Sequence, residues 1–337
     1  MIRTLFAIST PSVDPRHNLA LEEVLLRAVQ PGQCVLYLWQ NQRTVVIGRN
    51  QHAQRECRFR TLEKDGGHLV RRLSGGGAVY HDLGNLNFTF LTTHQNYDAA
   101  RQTDVILRAV RALGIPAEKN GRNDLTVCDQ KFSGHAYYRT GDQCYHHGTL
   151  MLDVDLEPLE RYLAPSPLKL AAKGVKSVRA RVVNLKTLKP DLTLDALRAA
   201  LLDAFGAVYG LPVSPLEESA LDQDALAESI SRFSDPRWTF GDTRSFARHR
   251  EGVFDGGLLQ LEFSLEQGRI LDAVLWSDGL AADYLSAVPD LIRGCPLEAD
   301  ALKRALLSHP DCDRAAAEGI LTLLTEPDNT TTHGGSL

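Results

Sequence analysis

The sequence predicts an α+β fold: a mixed β-sheet domain in which helices alternate with hairpin-type strands, followed by a small α+β domain. Three observations carry this. Apolar residues recur at helical spacing in segments closed by capping residues. Short β-rich runs stand between them without the regular strand–helix alternation of a doubly wound parallel sheet. From about residue 250 a compact meander precedes two last helical segments. We divide the chain into a first domain at 1–245, a small domain at 250–325 and a tail at 326–337. The tail, EPDNTTTHGGSL, has the composition of disorder.

Asp14-Pro15 reads as a helix start, an N-cap followed by proline at the first helical position. The helix runs through NLALEEVLLRAV, with Leu19, Leu25, Leu26 and Val29 turned to a core. Two apolar runs follow, Cys34–Trp39 and Thr44–Ile47, joined by Gln40-Asn41-Gln42-Arg43, which predicts a hairpin. Further strands are expected at Phe88–Thr92, Leu125–Cys128 and Tyr145–Val154. Asp98–Leu113 is helical and is ended by Gly114 and Pro116. Asp191–Tyr209 is a second such helix, stopped by Gly210, and Gly206–Ala220 is a loop region. GVFDGGLLQLEFSLEQGRILDAVLWSD is a meander of two or three strands. Leu297–Ser308 and Cys312–Leu324 are helical.

Composition narrows the function. A hydrophobic share of 43% and a charged share of 23% are those of an ordinary globular protein. A net charge of −5 gives no support to nucleic-acid binding. The acidic excess lies after Glu251, and the front of the chain is mildly basic. Cys34, Cys57, Cys128, Cys144, Cys295 and Cys312 form no CxxC pair and have no histidines at metal spacing, a pattern of reduced thiols. No apolar run approaches the ~18 residues a membrane span needs, and no signal peptide is legible, so a cytoplasmic location is expected.

The most informative segment is RRLSGGGAVYHDLGN, Arg71 to Asn85. Gly75, Gly76 and Gly77 let the backbone approach a ligand and aim several N–H groups into one concavity. Arg71 and Arg72 add planar cationic forks suited to phosphate or carboxylate. Apolar runs on both sides imply a loop held by strands. It is neither a P-loop, which needs Gly-Lys-Ser/Thr after its last glycine, nor a dinucleotide loop, which needs glycine at Tyr80. An anionic ligand held by a different loop follows.

Other residues leave alternatives open. Asp124 and Lys131 sit near one end of an expected hairpin. Lys131 is either a solvated surface group or a point charge for phosphate or a carbonyl oxygen. Asp124 accepts from that ammonium, holds magnesium beside phosphates or caps its turn. His146 and His147 are adjacent on a strand and point to opposite faces, so they make a poor metal pair. Neither Ser74 nor Ser133 lies in a nucleophile elbow, which leaves Ser-His-Asp catalysis unsupported. Cys144 reads as a buried hydrophobe. The basic run 169–181 is a mobile loop over phosphates or a solvated helix face.

Taken together, NLALEE (18–23), LYLWQNQRTVVIGRNQ (36–51), RRLSGGGAVYHDLGNLNFTF (71–90), GRNDL (121–125), KFSG (131–134), HHGTLM (146–151) and KGVKSVRARVVNL (173–185) resemble the bacterial type of the lipoate–protein ligase A family, in order and over nearly the whole chain. The glycine–arginine loop of the related biotin ligases is absent. The resemblance implies a biotin/lipoate ligase-like fold with a C-terminal accessory domain that swings between two steps. It implies activation of lipoate by ATP and magnesium to lipoyl-AMP, then transfer to a lysine of acceptor domains, the E2 subunits of 2-oxoacid dehydrogenases and the glycine cleavage H protein. Arg72, Gly77, Ala78, Val79, Tyr80 and Lys131 would bind ATP. Arg71, Ser74, Gly75, Gly76, His81 and Lys131 would bind lipoate. Lys131 would be catalytic, Asp124 would orient the acceptor lysine or magnesium, and 172–181 would close on the adenylate. His135, Tyr137 and Tyr138 depart from the usual pattern and leave the choice between lipoate and octanoate open. The alternatives are an octanoyltransferase or lipoyl-amidotransferase of the same fold, or a non-catalytic lipoate-binding protein.

Overall fold

The computed structural model describes residues 1–120, 124–164, 167–168, 182–241, 244, 246–255 and 257–325. The turn residues 121–123, the basic run 169–181 and the tail 326–337 lie outside them. The chain divides into two compact units, Met1–Asp242 and Thr243–Leu337.

The first unit opens with β1 (Thr4–Ser9), α1 (Pro15–Ala28), β2 (Gln33–Trp39), β3 (Thr44–Ile47), α2 (Ala53–Glu56), α3 (Phe59–Lys64), β4 (His68–Arg71), β5 (Val79–His81) and β6 (Asn85–Thr93). Then come α4 (Ala99–Ala112), β7 (Glu118–Asn120), β8 (Asp124–Val127), β9 (Gln130–Thr140), β10 (Gln143–Met151) and α5 (Leu156–Tyr162). Further helices at Leu194–Tyr209, Gln223–Ser234 and Pro236–Phe240 flank β11 (Val213–Pro215). The second unit is a meander, β12 (Arg248–Phe254), β13 (Gly257–Glu266) and β14 (Arg269–Ser277), covered by helices at Ala282–Ile292, Ala299–Leu306 and Arg314–Thr325.

The first unit is built on an eight-stranded mixed sheet of order β11-β1-β2-β6-β10-β9-β8-β7. β1 pairs in parallel with β11 and β2, and the other neighbours are antiparallel. A three-stranded sheet, β4-β3-β5, carries the glycine loop between β4 and β5. One face of the large sheet packs Leu36, Leu86, Phe88, Phe90 and Leu150 against α4 and helix Leu194–Tyr209. The opposite face, with Val35, Tyr37 and Leu91, packs against α1, helix Gln223–Ser234 and the small sheet.

Local chemistry explains the boundaries. Asp14 caps α1 by accepting from the Arg16 N–H, with Pro15 in the first turn. Asp98 caps α4 in the same way through Arg101, and Thr193 caps helix Leu194–Tyr209 through Ala196. That helix ends at Gly210 in the left-handed region, φ 66°.

Two expectations need correction. The hairpin between Cys34–Trp39 and Thr44–Ile47 does not form. β2 lies between β1 and β6 in the large sheet, and β3 lies between β4 and β5 in the small one. Both runs are apolar and buried on both faces, so each takes two neighbours from elsewhere. Their connection is a corner between sheets. Asn18 pins it by donating to the Gln40 carbonyl at 2.7 Å and to Asn41 Oδ1 at 3.0 Å. The loop at 206–220 contains β11, which pairs in parallel with β1 at the sheet edge. Proline in a three-residue run masks the strand signal, and an edge tolerates it because one side of the ladder is unpaired.

Candidate functional site

Alternation along the strands sorts the second face of the large sheet into cross-strand rows. Trp39, Asn87 and Thr149 are opposite one another on β2, β6 and β10. Tyr37, Thr89, His147 and Ala136 form the next row, and Val35, Leu91, Tyr145 and Tyr138 the one after. The centre of this floor is polar, where a sheet buried on both sides is ordinarily apolar. Gly134 on β9 continues the first row, since its N–H donates to Thr149 Oγ1 at 3.3 Å.

Lys131 stands at that end. Its Nζ lies 2.8 Å from Asp124 Oδ1, the lysine a quarter exposed and the aspartate less. A Cβ on Gly134 would meet Lys131 Nζ at 2.5 Å and Cε at 2.8 Å, so the missing side chain gives the lysine its berth. The β8–β9 turn is tight, with Cys128 at φ 49° and Asp129 at φ 62°. Two positive φ values in a two-residue turn match the right-handed strand twist. The register pairs Asp124 with Gly134 and Thr126 with Lys131 across a bulge after Leu125, and the Lys131 side chain reaches back over Gly134 to Asp124. Of the open roles for Asp124, the one seen is acceptance from the lysine ammonium.

The glycine loop forms the other side. Ser74 has no exposed surface, and Gly76 takes φ 90°. A Cβ at Gly48 would run into the Gly76 carbonyl, so two glycines face one another backbone to backbone. Among the described residues the N–H groups of Gly75, Gly76, Gly77 and Ala78 have no acceptor. They form a set of donors suited to an anion.

The arginine forks are turned to the backbone. Arg71 and Arg72 are buried, and carbonyls occupy both guanidinium forks. Arg71 donates to Gly48, Arg49, Gln51, Trp238 and Thr239 oxygens at 2.6–3.1 Å. Arg72 donates to Val46, Gly75 and Gly77 oxygens and to Ser74 Oγ at 2.7–3.2 Å. Burial draws each pKa down to about 10, which leaves both charged near neutrality. In this structure they brace the loop. The spacing of two arginines beside three glycines does not reveal whether the forks face ligand or backbone.

The remaining expected residues divide by strand alternation. Val79 packs toward the floor side, while the Tyr80 ring turns away and lies 5.7 Å from Tyr162. Any contact of Tyr80 with a floor ligand is therefore a main-chain one. His81 is buried beside Trp39, ring centroids 6.3 Å apart. Burial, then Arg72 and His147, pull its pKa down to about 3, so the ring is neutral.

Sequence reading missed Glu22, Trp39, Asn87, Thr89 and the role of His147. Glu22 Oε1 accepts from Thr89 Oγ1 at 2.7 Å and lies 2.8 Å from His147 Nδ1. His147 Nε2 lies 2.8 Å from Ser74 Oγ. With Nδ1–H given to the carboxylate, Nε2 accepts from the serine hydroxyl, a Ser-His-Glu chain that the absence of an elbow motif had argued against. Ser74 is nevertheless sealed, and Arg72 Nε donates to its oxygen at 3.0 Å, which withdraws the lone pair a nucleophile would use. The chain ties the glycine loop to the floor. The available signal was a glutamate pair within the apolar NLALEEVLL helix.

Other chemistries find less support. Among the described residues no group of three or more His, Cys, Asp and Glu side chains converges as a metal site. Burial pushes the Cys34 and Cys57 thiols up to about 12 and raises Cys144, so none of the three is an activated thiolate. No described helix is long and apolar enough to cross a membrane.

A polar floor with the Lys131 ammonium at one end, faced by a loop whose N–H groups have no acceptor among the described residues, is the kind of site an α+β domain offers to a small acidic ligand. The chain belongs to the lipoyl protein ligase A/B catalytic-domain family, whose model matches residues 14–206, and the model for the bacterial lipoate protein ligase C-terminus matches residues 243–321. It is similar to P. falciparum LipL1, solved in complex with lipoate, with 27% identity and a TM-score of 0.82 over 95% of this chain and 99% of that one. It is also similar to a lipoate-protein ligase A bound with ATP: 27% identity, TM-score 0.61, 72% of this chain and 99% of that one. A third is the bi-partite lipoate protein ligase of Thermoplasma acidophilum, from a study of that ligase and its E2 lipoyl domain, with 28% identity and a TM-score of 0.62 over 74% of this chain and 100% of that one.

Proposed function

We propose that this protein activates free lipoate with ATP and transfers the lipoyl group to a lysine of acceptor domains, such as the E2 subunits of 2-oxoacid dehydrogenases and the glycine cleavage H protein. The observation that carries this reading is the Lys131 ammonium, held by Asp124 over Gly134 at the end of the polar floor. Lipoate lies along the floor with its carboxylate at Lys131. The free N–H groups of Gly75 to Ala78 take the nucleotide phosphate, with Val79 and the Tyr80 main chain beside them.

Each step balances. A lipoate carboxylate oxygen attacks the α-phosphorus of ATP and the bond to pyrophosphate breaks, which gives lipoyl-AMP. The amine of the acceptor lysine then attacks the lipoyl carbonyl carbon, AMP leaves, and the amine gives up its proton. In both steps negative charge builds on oxygens near Lys131, and a fixed ammonium in a water-poor site stabilises it. Asp124 positions that ammonium. Arg71, Arg72 and the Glu22–His147–Ser74 chain hold the loop, so the donors need not reorganise. Magnesium arrives with the triphosphate in this reading, since the described residues offer no cage of their own. The unit from Thr243 onward assists adenylation.

The test is to mix purified protein, ATP, magnesium and lipoate with a lipoyl domain and to measure the mass of the domain. A lipoyl adduct that requires ATP supports the ligase. An adduct formed only from an acyl carrier protein, without ATP, supports the transferase instead.

A further inference from the structure

Beside Trp39 on the floor, two side-chain nitrogens are buried with no partner among the described residues; the Tyr145 hydroxyl, farther along the floor, is a third such polar atom. His81 is the first. Its Nδ1 is 3.2 Å from Asn41 Nδ2, and the Asn41 oxygen is taken by Asn18, so Nδ1 accepts and Nε2 carries the hydrogen. That Nε2–H has no acceptor. Asn87 is the second. Its Oδ1 accepts from Asn85 Nδ2 at 2.9 Å, and its own Nδ2 has no acceptor. Both residues are at most 3% exposed. Trp39 cannot serve either of them, because its indole N–H is itself a donor, given to Thr89 Oγ1 at 3.1 Å, and offers no acceptor. A buried donor left unmatched is costly, which makes such a pair a selector for a ligand that carries an acceptor.

The row fixes where that acceptor sits. Gly134, with Lys131 above it, is followed by Thr149 on β10, Asn87 on β6 and Trp39 on β2. Asn87 is two strands from Gly134, about 10 Å at the usual spacing. An acid whose carboxylate meets Lys131 therefore brings the far end of its chain to Asn87 and Trp39. Lipoate carries disulfide sulfurs at that end, which are weak hydrogen-bond acceptors. Octanoate, of the same chain length, carries only hydrocarbon there.

We infer that Asn87, supported by His81, is a specificity-determining residue: its amide donor favours an acyl chain bearing a sulfur acceptor at the end remote from the carboxylate. The inference rests on the proposed lipoate reading and deepens it. Octanoate dries the floor without satisfying the amide, whereas lipoate offers it a partner. Nothing in the sequence alone separates these acids, because an asparagine within an apolar strand reads as a tolerated exception.

The experiment is calorimetric titration of full-length wild type, Asn87→Leu and Asn87→Ser with lipoate and with octanoate, without ATP. The wild type should bind lipoate more tightly. Asn87→Leu keeps the side-chain size and removes the donor, so the lipoate-to-octanoate affinity ratio should fall ~10-fold, chiefly through tighter octanoate binding. Asn87→Ser, which is smaller and also loses the amide, should lower the ratio in the same direction and decides the matter if Asn87→Leu does not fold. A ratio unchanged within about twofold in the folded variants, or a wild type that prefers octanoate, overturns the inference and leaves lipoate binding standing. A wild type that binds neither acid overturns the underlying reading and the inference with it.

Discussion

The two faces of the eight-stranded sheet are made by the same strands and do opposite work. His146 and His147 are neighbours on β10. His146 turns to the core face and is closed in a chain with Gln102 at 3.1 Å and His135 at 2.9 Å, which ends on Ser133 at 3.0 Å. Phe88 packs edge-on against both imidazoles. His147 turns to the floor and joins Glu22 to Ser74 of the glycine loop. On the core face the two imidazoles close on one another among aromatic rings, and the Gln102 amide that ends their chain leaves its Nε2 unmatched among the described residues. On the floor Asn87 and His81 end in donors with no acceptor among the described residues, beside the row that leads to Lys131. A single residue step along a strand therefore separates a group that builds the fold from one that serves the site.

Substitutions should obey the same division. The largest effect is expected on the core face. Phe88→Ala empties a fully buried ring site and should cost about 3–5 kcal/mol in urea unfolding, with the KM for lipoate of the folded fraction little changed. A loss under about 1 kcal/mol would show that this face is not what holds the domain together.

Lys131→Ala should do the reverse. Its ion pair is partly exposed and contributes at most about 1 kcal/mol to stability, as thermal melting would show. Turnover in both half-reactions should fall ~10²-fold or more. Near-normal turnover would remove Lys131 from the chemistry.

Acid should attack the core-face chain. Burial depresses the pKa of His135 to about 3 and holds His146 well below its ordinary value, and His81 on the floor is depressed likewise. In the unfolded chain these groups take up protons below about 6.5, and in the folded protein they do not. Their stabilisation is therefore fully present above about pH 6.5 and is lost as the pH falls from there toward 3. Each group loses up to about 2 kcal/mol between pH 6.5 and 5. Urea midpoints measured at those two values should fall, and His135→Phe should flatten the dependence. A midpoint independent of pH over that range would contradict the neutral pair.

The smallest effect is the most selective. Gly134→Ala places a methyl where the Lys131 side chain lies. Because a flexible lysine can shift, turnover should fall ~3- to 10-fold, with stability nearly unchanged. Unaltered kinetics would mean that the position of the ammonium is not critical.

What the sequence revealed follows the range of the interactions. Caps, stop glycines and the C-terminal meander are local and were legible in Asp14-Pro15, Asp98, Gly210 and the run from Gly252. Lys131 and Asp124 are joined by a short turn, so their encounter followed from the hairpin. The floor did not follow. Glu22 meets His147 across 125 residues and Ser74 meets His147 across 73, and no local pattern encodes such pairs. The corner at Gln40–Arg43 defeated the hairpin reading because local alternation does not say which sheet a strand joins. Arg71 and Arg72 were noticed for their charge, and their bonds to carbonyls depend on the folding of loops as distant as Trp238.

The central claim is that the floor and its glycine loop activate an acid with ATP. The most direct measurement is exchange of labelled pyrophosphate into ATP by the full-length protein with magnesium, with and without lipoate. The account predicts exchange that requires lipoate and disappears in Lys131→Ala. Absence of lipoate-dependent exchange in a folded protein that binds lipoate would contradict it.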